Sequence, residues 1–373
     1  MTIEQLQDKC RGSLIGGAVG DALGYAVEFS SHSQIKAKYG ENGISAYELD
    51  NNGVAEFSDD TQMSLFTAEG LLSAIADGKT FEKDLLSYIT TAYEHWYYTQ
   101  CRPPLKKMSK SWLTHIKALW ARRAPGMTCM SALQSISMSN SAPVVNNSKG
   151  CGGVMRVAPI GIFSAAHPQT LDLEHAGYLA GYAADITHKH PLSTFSSMAL
   201  AMIVADCIAH DKVDREKFCF IVIDRVFKLL GLYFKEDKHL EELHSLICHA
   251  LTLAESDMSD TDAIRSLGEG WVAEETLAIA VFSVMRYIDN FEKCMICSVN
   301  HDGDSDSTGA VAGNIIGAIL GYSSIPEKYR NNLELHDVII SVADDLCGIS
   351  CDEQMKMRYR EHKPFNVEQT HLI

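Results

Sequence analysis

Apolar residues recur along most of this chain at the three- and four-residue spacing of a helix buried on one side. Met63, Phe66, Leu71, Ala74 and Ile75 form one such stripe. Runs of alternating β-branched residues, which would read as half-buried strands, are scarce. The pattern predicts an all-α protein. It breaks at "CRPPLK", "RRAPGM", "SNSAPVVNNSKGCGG" and "AAHPQT", where Pro, Gly and Asn cluster. None of these breaks is long or low in complexity. The expectation is one compact helical domain over residues 1–350 and a polar tail over 351–373 that drapes over its surface.

Two helical segments carry glycine stripes. In "RGSLIGGAVGDALGYAVEF" glycines stand at 12, 16, 20 and 24, and in "STGAVAGNIIGAILGY" at 309, 313, 317 and 321. A spacing of four lines them up on one helix face. Each interior glycine costs a helix about 0.8–1 kcal/mol relative to alanine, so four in a row signal close backbone approach. The two helices are therefore expected to pack together at the centre of the domain. A membrane-dimer reading fails, because both segments are too short and are flanked by carboxylates.

Acidic pairs introduce two helices. "EFSDDTQMS" holds Asp59 and Asp60, and "NHDGDSDSTGA" holds Asp302, Asp304 and Asp306. Capping explains part of this: Asp59 with Gln62 fits a capping box, and Asp306 or Ser307 can serve as N-cap. One carboxylate per helix suffices for that, which leaves Asp60 and Asp304 without a role. Brought together, the acids would repel, and some pKa values would rise unless cations intervened. Oxygen ligands from carboxylates and from Ser58, Thr61, Ser307 and Thr308, without neighbouring thiol or imidazole, suit Mg²⁺, Mn²⁺ or Ca²⁺. An EF-hand is excluded, since its turn glycine is Ser307 and its closing acid is Gly313. The expectation is a metal site split between two distant segments, with two capped, solvated helix ends as the plainer alternative. Glu28 closes the first glycine helix and should reach the same core.

Other polar clusters carry weaker signals. "NNSKGCGGVMRVAPIG" has Ser148, Lys149, Gly150, Gly152 and Gly153, a run able to expose backbone N–H groups to a phosphate or simply to make a tight turn. It has neither the strand context of a dinucleotide fingerprint nor the Gly-Lys-Ser/Thr end of a Walker loop. His188 and His190 in "ITHKHPLS" are as compatible with a ligand contact as with a structural role. In "GEGWVAEETLAIA", Trp271 is expected to pack on the core beside Glu269, Glu274 and Glu275. Cys294 and Cys297 are read as core thiols on a helical turn, since no second pair completes a zinc site.

Bulk properties narrow the function further. A net charge of −16 over 373 residues argues against a broad nucleic-acid surface and leaves room for bound cations. Eleven cysteines, an odd number scattered along the chain, read as reduced thiols. The first residues are polar and acidic, unlike a secretory signal, so a cytoplasmic location is expected.

Taken together, "GSLIGGAVGDALGYAVEF", "FSDDTQMS", "SKGCGGVMRVAPIG", "THKHPLS" and "NHDGDSDSTGAVAGNIIGA" resemble the ADP-ribosylglycohydrolase family over residues 10–322, in the family's order. The resemblance implies an orthogonal all-α fold with two Mg²⁺ or Mn²⁺ ions. Ser58, Asp59 and Asp60 would bind metal from one side, and Asp304, Asp306 and Ser307 from the other, with Asp306 bridging. Glu28 would stand next to the scissile bond, and Asp60 and Asp304 would join it in catalysis. Ser148, Gly150, Cys151, Gly152 and Gly153 would hold the diphosphate, and His188 would contact ADP-ribose. Two positions depart from the pattern. Ser307 stands where Thr is common, with Thr308 next to it, and Cys151 stands where some relatives carry Asn. The implied activity is hydrolysis of the bond between ADP-ribose and a protein side chain, with arginine as the leading acceptor. The alternatives are linkage to serine, to a nucleic-acid base or in a small metabolite, occlusion of an ADP-ribosyltransferase toxin as a binding partner, and a structural protein that kept the fold alone.

Overall fold

The computed structural model describes residues 1–101, 111–138, 144–348, 350 and 352–361. Among them the elements are helices, and β-pairing takes the form of isolated bridges such as Ala55 with Leu333 and Gly150 with Val272. The fold is all-α, as the periodicity predicts. The breaks at "CRPPLK" and at the start of "SNSAPVVNNSKGCGG" fall largely outside the described residues.

The centre is the pair of glycine helices, Ile3–Tyr25 and Ser305–Leu320, packed antiparallel. Gly12 lies on Gly317, Gly16 on Gly313, Gly20 on Gly309 and Gly24 on Ser305, and a Cβ at any of these glycines would overlap a backbone carbonyl of the partner helix. Across the seam the Ser13 hydroxyl donates to the Asn314 carbonyl at 2.9 Å, and the Asn314 amide returns a bond to the Ser13 carbonyl at 2.8 Å. These polar links have one geometry, so they fix the register that the stripe of small residues only permits.

Other helices wrap this pair. Asp59–Ala76 packs on Glu82–Gln100, burying Met63, Phe66, Leu71 and Ala74 of the stripe seen in the sequence. Pro191–Ala209 packs between Ala158–Ala166 and Leu173–Asp185. It is long and apolar enough to cross a membrane, yet 89% of its apolar window is buried inside the protein, so it is a core helix. Cys294 and Cys297 lie buried on the helix Phe291–Val299, and the ten described cysteines are all free thiols.

The tail differs from the expectation of a surface drape. Lys356–Arg360 is helical, and Arg358 and Tyr359 are buried. Tyr359 donates its hydroxyl to Asp345 at 2.7 Å and sets its ring edge-on to Trp112, while Arg358 forms an ion pair with Asp345. Asp345 is buried, and a buried carboxylate demands such partners. The tail supplies them. Residues 362–373 of the tail lie outside the described residues.

The seam makes a contrast that can be measured. Gly313→Ala should lower stability by about 3 kcal/mol, because a carbonyl rather than a flexible side chain blocks the new methyl. Gly231→Ala, on the helix Lys228–Phe234 with open space at its Cβ, should instead raise stability by up to ~1 kcal/mol. Urea denaturation of both variants checks the pair.

Candidate active site

The helices Asp59–Ala76 and Ser305–Leu320 begin at the same cleft, where free backbone N–H groups and the positive ends of two helix dipoles favour anionic side chains. The cleft has a volume of about 660 Å³, and Glu28, Asp59, Asp60, Asp304, Asp306 and Ser307 all line it. Glu28, Asp304 and Asp306 each bring one carboxylate oxygen within 4.8 Å of the others. The structure thus gathers acids from three segments far apart in the chain.

Both caps differ from the sequence expectation. Ser58, not Asp59, is the N-cap of its helix, with its hydroxyl accepting from the Asp60 N–H at 3.2 Å. Gln62 leaves the capping box to accept from Trp96 at 3.0 Å and Gln100 at 3.1 Å. At the second helix Asp304 is the N-cap, rather than Asp306 or Ser307, and accepts from the Ser307 N–H at 3.3 Å. Asp302 turns away to Arg265 and the His32 N–H.

The sequence reading overlooked Asp21, which explains why Asp59 and Asp60 are free to face the cleft. Asp21 lies fully buried on the first glycine helix and accepts from the Ser58 N–H at 2.8 Å, the Thr61 N–H at 2.9 Å and the Thr61 hydroxyl at 2.5 Å. It caps the aspartate helix from another helix. Its only sequence signal is a carboxylate inside an otherwise apolar, glycine-striped helix.

The electrostatics follow from burial. Burial first, and the Asp306 carboxylate second, raise Asp59, Asp60 and Asp304 well above the ordinary aspartate range. The same two causes push Glu28 up to about 9, and Asp21 up to about 7 despite its three donors. Glu28 Oε2 and Asp60 Oδ2 are buried without a hydrogen-bond partner among the described residues. Such a set of oxygens can hold a hard divalent cation. The Thr308 hydroxyl is spent on the carbonyls of Ser298 and Asp304, which leaves Ser307 as the hydroxyl open to the cleft. Ser58 is fully buried at the start of its helix, where one lone pair of its hydroxyl serves as the cap.

The glycine loop borders the same cleft. Gly150, Cys151, Gly152 and His188 line the cleft, whereas Ser148 and Gly153 shape the loop from behind. Ser148 accepts from the Gly150 N–H at 3.3 Å, and Gly153 packs on Ser193 and Ala184. The Cys151 thiol lies beside Asp304 and Ser307, so tertiary packing adds a sulfur beside oxygens that stand free of one in the sequence. His190 is structural: its Nδ1 accepts from the Leu192 N–H at 3.1 Å and caps the core helix. Trp271 does not pack on the core. It is 39% exposed at the cleft rim, stacked at 17° and 5.9 Å on Phe29, itself 77% exposed. The Cys151 N–H donates to the Trp271 carbonyl at 3.2 Å, which anchors this rim to the glycine loop.

Two helix starts and a glycine loop thus enclose one cleft of buried acids. The sequence model of the family described as ADP-ribosylglycohydrolase matches residues 2–354, and this chain belongs to that family. Among curated relatives, the ADP-ribosyl-[dinitrogen reductase] glycohydrolase of Rhodospirillum rubrum is 26% identical over 90% of this chain and 93% of its own length. The ADP-ribosylarginine hydrolase Tri1 of Serratia proteamaculans (strain 568) is 26% identical over 93% of this chain and 81% of its own. A solved structure described as an ADP-ribosylglycohydrolase-related protein complex shares the fold, with a TM-score of 0.56 at 23% identity over 93% of this chain and 100% of that one.

Asp21→Asn should cost about 1–3 kcal/mol, since an amide cannot accept from both the Ser58 and Thr61 amides without turning its own N–H₂ on one of them. Asp302→Asn, at the exposed end of the same acidic run, should leave stability near wild type. Thermal unfolding of both metal-free variants distinguishes the two positions.

Proposed function

We propose that this chain hydrolyses the N-glycosidic bond joining ADP-ribose to an arginine side chain of a modified protein, with two Mg²⁺ ions, or Mn²⁺ in their place, in the cleft. The observation that carries this reading is the pair of orphaned carboxylate oxygens, Glu28 Oε2 and Asp60 Oδ2, in a cleft shared with Asp59, Asp304 and Asp306. Buried carboxylates without donors are costly, and a divalent cation is the partner that this donor set fits. Asp59, Asp60, Asp304 and Asp306 would hold the ions, joined by the hydroxyls of Ser307 and, through its second lone pair, Ser58. The names of the Rhodospirillum and Serratia relatives support a protein-linked substrate, and the latter supports arginine.

When bound, such ions polarise oxygen ligands and lower the pKa of a coordinated water. The chain's own groups do the rest. Glu28, which lines the cleft beside Asp304 and Asp306, gives a proton to the leaving nitrogen as the glycosidic bond breaks. Positive charge grows on the ribose as that bond breaks, Asp60 and Asp304 stabilise it, and a water adds to the anomeric carbon, giving its proton to the Glu28 carboxylate left by the first transfer. The loop Gly150–Gly153 and His188 bind the diphosphate.

The test is release of ADP-ribose from arginine-ADP-ribosylated protein, with serine-linked substrate alongside. Release from the arginine substrate should stop with EDTA and return with Mg²⁺. The Asp304→Asn, Asp306→Asn double variant should lose about a thousandfold in turnover and lose Mn²⁺ binding by electron paramagnetic resonance. Release unaffected by EDTA overturns the metal assignment, faster release from serine overturns the acceptor, and no release from either overturns the activity.

A further inference from the structure

The motif that follows the glycine loop ends in Arg156, which is 0% exposed and forms no ion pair with a carboxylate among the described residues. An isolated buried charge is costly unless its donors are satisfied. Arg156 donates to the Ala183 carbonyl at 3.0 Å, to Thr187 Oγ1 at 2.8 Å and to the sulfurs of Met63 and Cys129 at 3.5 Å each, and lies 4.2 Å over the Tyr93 ring.

These contacts bear on the direction of the next hydrogen bond. A guanidinium only donates, so Thr187 Oγ1 accepts from Arg156 and keeps one hydrogen to give. His188 Nδ1 stands 2.8 Å from that hydroxyl, whereas the Ala184 carbonyl is 3.5 Å away. The shorter of the two contacts points to Nδ1 as the acceptor, and a neutral imidazole then carries its proton on Nε2. Burial and the Arg156 charge hold the imidazole down to about 3, which keeps it neutral. Nε2 faces the glycine loop. A Cβ at Gly150 would lie 3.4 Å from it, and one at Gly152 would lie 2.9 Å from Cε1. The missing side chains leave this edge open to the cleft, and no acceptor is bonded to Nε2 among the described residues.

We propose that Arg156 and Thr187 are positioning residues that lock His188 in the Nε2–H tautomer, so that it offers one uncharged donor to a diphosphate lying on the glycine loop. The identity of that ligand rests on the ADP-ribose reading above; the tautomer does not. A neutral donor suits this cleft because an imidazolium would be attracted to the aspartates that line it. The positive charge is kept instead on the buried Arg156, which forms no ion pair with the acids among the described residues and favours an anion near His188.

Nitrogen NMR of the full chain, labelled at histidine, reads the tautomer directly. Wild type should show His188 protonated on Nε2, and ADP-ribose or inorganic diphosphate should shift the Nε2 signal. Thr187→Val should admit the Nδ1–H form and weaken ADP-ribose binding about tenfold, whereas Thr187→Ser should keep both properties of wild type. Protonation on Nδ1 in wild type, an Nε2 signal that neither ligand moves, or a wild-type tautomer in Thr187→Val overturns the proposal. If Thr187→Val fails to fold, the wild-type and Thr187→Ser spectra decide. A shift with inorganic diphosphate but none with ADP-ribose upholds the proposal and overturns the ADP-ribose reading instead.

Discussion

Backbone lies against backbone along the two glycine helices, and the position of every acidic group in the cleft depends on that contact. Gly20 on Gly309 and Gly24 on Ser305 leave no room for a shift by even one methyl group. Asp21 and Glu28, at the end of one helix, are thereby set beside Asp304 and Asp306 at the start of the other. Asp21 then extends the same frame to a third segment through the amides of Ser58 and Thr61. Seam and cap together register two acidic motifs separated by more than half of the chain.

That register concentrates negative charge where water is scarce. Asp306 recurs among the causes that raise Asp21, Glu28, Asp59, Asp60 and Asp304. Two helix N-termini and their caps offset part of the repulsion, yet the orphaned oxygens of Glu28 and Asp60 show that the protein's own donors do not balance the set. Clusters of perturbed carboxylates in a cleft are characteristic of sites that bind and react rather than of stabilising networks. The glycine-loop side is organised on a different principle, with a neutral imidazole and backbone amides backed by a buried guanidinium in place of carboxylates. A ligand with a polyhydroxyl end and an anionic middle matches this division of labour.

Much of this was legible in the order of residues alone. The helical period carried the fold class, the glycine stripes carried the central pair, and Asp60 and Asp304 stood out because a helix cap needs only one carboxylate. Other features left no local trace. Asp21 reads as one acid in an apolar helix until its partners 37 and 40 residues away are seen. Trp271 looks like a core residue, because exposure at a cleft rim depends on elements distant in sequence. An exposed cation such as Arg265 and the buried Arg156 are indistinguishable by residue type. The order of donors from Arg156 through Thr187 to His188 exists only in three dimensions.

By itself the sequence determined which segments become helices, which helix faces must meet, and which residue types are too many for a structural role alone. Those properties are local or periodic, so spacing along the chain encodes them. Tertiary structure decided the rest: which hydroxyl caps and which faces the cleft, where the Cys151 thiol falls, and which ring nitrogen of His188 is turned outward. These depend on distances between segments brought together by packing, and a hydrogen bond's direction is settled only when both of its partners, and their other partners, are in place.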